Sequence, residues 1–198
     1  SSNTTGTQNT AVGVNSLLNN TTGNYNVAVG RQALSTNTTA SESTATGYQS
    51  LYNSTGGYNT AIGFKAGYGQ TTGDGNTYIG RYTAGTATTT GNSNTAVGNR
   101  AMQSLTSGNY NVSVGNEALQ ANTTASSNTA VGYQAAYNNT TGASGVVIGY
   151  QAGYSNTTAD NNICIGQWAG YYNTGAANVY IGYSSGPNVS ASSGYYNV

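Results

Sequence analysis

Asn128-Thr129-Ala130-Val131-Gly132 is one of eleven copies of a five-residue motif that begin with Asn9-Thr10-Ala11-Val12-Gly13 and Asn26-Val27-Ala28-Val29-Gly30 and end with Asn178-Val179-Tyr180-Ile181-Gly182. The closing glycines are Gly13, Gly30, Gly47, Gly63, Gly80, Gly98, Gly115, Gly132, Gly149, Gly166 and Gly182, spaced 16 to 18 residues apart. So short a period marks a repeat architecture. One unit cannot bury an apolar face alone, so each leans on its neighbours and the molecule grows along one axis. The chain reads as all-β, a single parallel β-solenoid repeat domain over residues 1–198 with about eleven coils of 16–18 residues. Asn197-Val198 reads as the opening of a twelfth motif, as expected of a segment of a longer fibre.

Within the motif, the second and fourth positions are Thr/Val and Val/Ile, and the first and third are Asn and mostly Ala. Alternation with period two predicts a strand with one buried face. The fourth position (Val12, Val29, Ile62, Ile79, Val97, Val114, Val131, Ile148, Ile165 and Ile181, with Thr46 the polar exception) is the expected core. Thr and Val share a shape, so the second-position hydroxyl is expected to bond to backbone. The small third residue would pack closely on the other side. Beyond the glycine, pairs such as Ala33-Leu34, Ala118-Leu119 and Ala152-Gly153 predict a second short strand, and Asn20-Thr21-Thr22-Gly23 or Asn139-Thr140-Thr141-Gly142 a polar turn. Coils stacked about 4.8 Å apart would give a rod of roughly 50 Å. Asn9, Asn26, Asn59, Asn76, Asn94, Asn111, Asn128, Asn162 and Asn178 would form an asparagine ladder, each amide bonding its equivalents above and below. A sugar-binding row is the functional alternative for that column. The motif glycine is expected to turn a corner other residues resist.

Four Lys or Arg against four Asp or Glu leave no net charge, which argues against a nucleic-acid partner. Histidine is absent, and Glu42, Asp74, Glu117 and Asp160 are far apart in sequence, so no catalytic, metal-binding or cofactor-binding residue is assigned and no enzyme is expected. A glycosidase pair in particular fails, because Glu42 and Glu117 would lie more than four coils, roughly 20 Å, apart. No apolar run reaches the roughly 20 residues of a membrane-spanning helix. Cys164 is the sole cysteine, which rules out an internal disulfide; scarce Cys and Lys suit an exposed, protease-resistant protein. Asn-x-Ser/Thr triplets at Asn20, Asn37, Asn53, Asn122, Asn139 and Asn156 arise by chance in such a composition or carry glycans.

Asn-Thr-Ala-Val-Gly followed by a small residue resembles the Ser-Val-Ala-Ile-Gly repeat of the head domains of YadA-like trimeric autotransporter adhesins, left-handed parallel β-rolls. Asn128-Thr129-Ala130-Val131-Gly132-Tyr133-Gln134-Ala135-Ala136 is also similar to repeats of phage tail-fibre and virion-surface proteins. The likeness runs from residue 9 to 182. It implies a left-handed roll, a homotrimer of rolls side by side, and an extracellular, cell-surface or virion location. The period differs, about 17 residues here against 14 in the adhesins.

Eighteen tyrosines recur in fixed places: after the motif glycine (Tyr48, Tyr133, Tyr150, Tyr183), near the next turn (Tyr52, Tyr68, Tyr137, Tyr154, Tyr171) and before the motif (Tyr25, Tyr58, Tyr110). These columns predict aromatic ladders. Such rings either cover the core and a subunit interface or bind carbohydrate, with Tyr133, Tyr150, Trp168 and Tyr171 as the candidate glycan contacts. Arg31, Lys65, Arg81 and Arg100 read as too scattered for a patch. The function expected is a structural and adhesive fibre: a tail-fibre shaft, or a surface filament extended end to end. The alternative is an ice-binding solenoid, disfavoured on the expectation that the strand threonines face inward. A tailspike-type glycan hydrolase ranks below both.

Overall fold

The computed structural model describes residues 2–85 and 87–187, so Asn197-Val198 lies outside the described residues. Eleven strands of three residues occur, one in each motif: β1 (Thr10–Val12), β2 (Val27–Val29), β3 (Thr44–Thr46), β4 (Thr60–Ile62), β5 (Thr77–Ile79), β6 (Thr95–Val97), β7 (Val112–Val114), β8 (Thr129–Val131), β9 (Val146–Ile148), β10 (Ile163–Ile165) and β11 (Val179–Ile181). They form one parallel sheet in sequence order. Register is one motif on the next throughout, as in Thr10↔Val27, Ala11↔Ala28 and Val12↔Val29. Each return to the neighbouring strand is one coil of a β-solenoid. Among the described residues there is no helix, so none is long and apolar enough to cross a membrane.

The motif alternates as expected, but with the opposite phase. Third-position Ala28, Ala45, Ala61 and Ala96 are fully buried, while fourth-position Val12, Ile62, Val114, Ile148 and Ile181 are 57%, 42%, 37%, 37% and 47% exposed. The expected Val/Ile core is thus the outside of the sheet. The interior is too thin for a β-branched residue opposite Leu, so alanine goes in and the larger side chains go out. Nor do the second-position hydroxyls of Thr44, Thr60, Thr77, Thr95 and Thr129 bond to backbone: they point outward with no hydrogen bond among the described residues.

The expected second strand is instead a run of turns. The second and fourth residues after the motif glycine take left-handed backbone, as at Gln32 (φ 59°) and Leu34 (φ 48°). Such a conformation costs an L-residue about 1–2 kcal/mol, and it persists because neighbouring coils hold it: the Gln32 N–H donates to the Val14 carbonyl (2.9 Å) and the Leu34 N–H to that of Ser50 (3.1 Å). The fourth residue supplies the other half of the core: Leu34, Leu51, Met102 and Leu119 are fully buried. Size is exchanged across the core. Where the strand supplies Val147, Cys164 or Tyr180, the facing turn has Gly153, Gly170 or Gly186. Tyr78, fully buried, fills the space before Gly67 and donates its hydroxyl to Gln70 Oε1 (3.0 Å).

Motif glycines lie at φ between 118° and 141°. At Gly132 (φ 136°) a Cβ would also strike the backbone of Gly149 in the next coil, so both conformation and contact demand glycine.

The asparagine ladder forms, chiefly through backbone. Asn94 is fully buried; its Oδ1 accepts from the Asn111 N–H (3.0 Å) and its Nδ2 donates to the Gly108 carbonyl (2.9 Å). Amide-to-amide bonds of 3.0–3.2 Å supplement this between Asn59, Asn76, Asn94 and Asn111. A second buried column, Asn20, Asn37, Asn122 and Asn139, closes the polar turns; Asn139 Oδ1 accepts from the Gly142 N–H (3.0 Å) while its Nδ2 donates to the Gly142 carbonyl (2.8 Å). Those four amides are committed inside the fold and closed to N-glycosylation.

Candidate binding faces

Two surfaces stand out, separated by the motif glycine. Before it lies the outward sheet face, with one column of Thr and Val (Thr44, Thr60, Thr77, Thr95, Val112, Thr129) beside one of Val and Ile (Val97, Val114, Val131, Ile148, Ile165). Parallel pairing in constant register makes both columns regular.

After the glycine come the aromatics. Like positions of consecutive coils stack nearly parallel: Tyr48–Phe64 (5.2 Å, 13°), Tyr52–Tyr68 (5.4 Å, 14°), Tyr133–Tyr150 (5.1 Å, 19°), Tyr137–Tyr154 (5.2 Å, 5°) and Tyr154–Tyr171 (5.0 Å, 6°). The ladders expected after the glycine and near the turn therefore form. Tyr25, Tyr58 and Tyr110 do not form one: they occupy separated coils and stand 57%, 62% and 66% exposed. Where the ring moves one residue along the coil, stacking becomes edge-to-face. Phe64–Tyr82 meet at 82° and Tyr150–Trp168 at 77°.

Of the four candidate glycan contacts, Tyr133, Tyr150 and Trp168 form one continuous aromatic series, and Trp168 and Tyr171 line a common open cavity of about 350 Å³ with Gln151, Tyr172 and Ser184. The sequence reading missed Gln151, Tyr172 and Ser184. The 17-residue interval between Gln134 and Gln151 is the signal that finds the first: Gln151 Nε2 donates to Gln134 Oε1 (2.7 Å).

The cations are less scattered than expected. Arg31, Lys65, Arg81 and Arg100 all lie one or two residues after a motif glycine, on the aromatic side. Three sit over rings: Arg31 on Tyr48 (5.8 Å), Lys65 on Tyr68 (5.0 Å) and Arg81 on Tyr82 (4.6 Å). Arg100 lies 3.7 Å from Glu117. Two carboxylates tie loops: Asp74 Oδ1 accepts from the Gly57 N–H and Asp160 Oδ1 from that of Ala143, both at 2.7 Å. Among the described residues no three His, Cys, Asp or Glu side chains gather to hold a metal. Cys164 is buried, its thiol pushed up to about 11 by desolvation.

Neither a family model, nor a curated protein, nor a solved structure matches the chain.

Proposed function

We propose that the chain is a rod of a structural and adhesive fibre, extracellular or on a virion surface, that packs side by side with two further copies through its outward sheet face. One observation carries this: a double column of Val, Ile and Thr runs the length of the sheet, and along it Val12, Ile62, Val112, Val114, Ile148, Val179 and Ile181 stand exposed. Three residues at about 3.3 Å across eleven coils at about 4.8 Å give a strip on the order of 500 Å². That matches the largest apolar patch of a typical monomer, about 300–600 Å², the size at which a patch commonly serves as an interaction surface. Three straight strips facing one axis would bury one another. The likeness to trimeric adhesin repeats supports the same number. The low charge and the single buried cysteine suit a fibre exposed outside the cell.

The strand threonines support a second reading. They were expected to face inward; instead the hydroxyls of Thr44, Thr60, Thr77, Thr95 and Thr129 stand in a regular outward column beside Val and Ile, the kind of array an ice-binding solenoid needs. Lysine at both Val114 and Ile148 separates the two. On the fibre reading the native chain is an assembly, and the double variant is a folded monomer with unchanged circular dichroism. A monomeric native chain that lowers the freezing point of its solution below the melting point, a gap lost in the double variant, would replace the fibre by the ice-binding solenoid.

A further inference from the structure

The rings on this rod are arranged in two ways. In the parallel stacks each ring covers its neighbour, as in Tyr137, Tyr154 and Tyr171 at 5.0–5.2 Å, so edges and hydroxyls point outward. A turned ring is not stacked face to face on its neighbour, and in the N-terminal half a cation lies over one: Arg81 is 4.6 Å from the centre of Tyr82. Beyond Arg100 there is no Lys or Arg to do this. Trp168 stands at 77° to Tyr150 with Tyr183 tilted against it at 5.6 Å and 56°, Tyr172 stands at 69° to Tyr171, and Trp168 and Tyr172 border the 350 Å³ cavity.

The site is held rigid. The Trp168 indole N–H donates to Gln151 Oε1 (3.1 Å), and Gln151 is fixed in turn by Gln134. A locked ring loses little entropy when a ligand settles on it. Around it are hydrogen-bonding groups without partners: neither the Tyr171 nor the Tyr172 hydroxyl bonds to any described residue. The Tyr171 phenol is a donor at neutral pH, as any tyrosine is, and desolvation by burial raises its pKa further. Charge is nearly absent. From Asn128 to Pro187 the only charged residue is Asp160, whose Oδ1 is taken by the Ala143 N–H.

We propose that this cavity binds a neutral saccharide, with the apolar C–H face of a pyranose ring on Trp168 and Tyr172 and its hydroxyls meeting those of Tyr171 and Tyr172. A sugar presents this pairing of a flat apolar face and a polar edge, for which rigid amphipathic rings are suited. An anionic sugar would find no cation here, and a purely apolar ligand would leave the phenol hydroxyls desolvated and unpaired. The proposal rests on the adhesive part of the fibre reading and places the contact near the C-terminal coils rather than along the shaft. The cavity uses no residue of the outward sheet face, so binding and assembly are separable.

Trp168 is the only tryptophan, so its fluorescence reports on this cavity alone. Cellohexaose, chitohexaose, maltohexaose and mannohexaose are titrated one at a time into the native chain. At least one should shift or quench the emission saturably below about 10 mM. Tyr172→Ala should weaken that response at least about tenfold, and Tyr172→Phe, which keeps the ring, by less. Arg81→Ala should leave it unchanged. All three variants should keep the native particle mass. The proposal is overturned if none of the four sugars gives a saturable change, or if Tyr172→Ala and Tyr172→Phe bind as the native chain does. Binding by a chain that proves monomeric would remove the trimer and keep the saccharide site; an assembled chain blind to all four sugars would do the reverse.

Discussion

Asn94→Ala tests what holds coil to coil. The side chain is fully buried and makes four hydrogen bonds: Oδ1 accepts from the backbone N–H and Nδ2 of Asn111 (both 3.0 Å), and Nδ2 donates to Asn76 Oδ1 (3.2 Å) and the Gly108 carbonyl (2.9 Å). Two partners keep an alternative. Asn111 Nδ2 still donates to the Ala125 carbonyl (2.8 Å), and Asn76 Oδ1 still accepts from the Asn94 N–H (2.9 Å). The Asn111 N–H and the Gly108 carbonyl, in buried residues, lose their partner. At about 1–3 kcal/mol for each of the two buried groups left unsatisfied, the loss is about 2–6 kcal/mol. With a guanidinium slope on the order of 4 kcal/mol/M, the unfolding midpoint should fall by about 0.5–1.5 M at fixed protein concentration. Thr90→Ala, which removes one exposed bond of 3.4 Å, is the control and should move it little. A midpoint for Asn94→Ala as close to native as that of Thr90→Ala would refute the ladder as a structural element.

Tyr78→Ala should cost about 3–5 kcal/mol by opening a cavity before Gly67. Gly67→Leu should be disruptive alone yet recover part of that loss in the Tyr78→Ala chain, since Leu51 already occupies the same turn position at φ 47°; denaturation of the two single variants and the double variant reads the coupling. Stability should decline in alkali. Burial raises the Cys164 thiol from an ordinary 9.0 to about 11 and raises the Tyr78 phenol as well. The unfolded chain therefore loses protons first, so the stabilisation is complete below about pH 9 and is lost as pH rises towards 11. Midpoints at neutral pH and across that window check the sign, and Cys164→Ala should remove the earlier part of the decline. Gly132→Ala, at φ 136° and against the backbone of Gly149, should destabilise the rod far more than alanine at an exposed loop position, as read by melting temperature.

Period, strand placement and parallel register were legible because identical motifs can align only on one another. The phase of the alternation was not. Period two shows that Ala130 and Val131 face opposite ways but not which is inside, and the usual preference for burying valine chose wrongly. Only the thinness of the coil, with Leu119 or Ala136 already filling the far side, sends alanine inward, and that is a property of the assembled rod. The second strand was misread for a related reason. Left-handed backbone is expected of Gly and Asn, yet here it falls on Leu34, Gln151 and Trp168, because ladder bonds from adjacent coils impose it. At the candidate cavity, Trp168 and Tyr171 were visible as aromatics. The roles of Gln151 and Tyr172 depend on ring orientations that the letters do not record.

The mass of the native particle by light scattering tests the central claim most directly. A discrete species of three times the 20.0 kDa chain, seen as short rods in negative stain, is the result the account predicts. A compact particle of one chain mass at micromolar concentration, its Val and Ile columns facing water unaided, would contradict it.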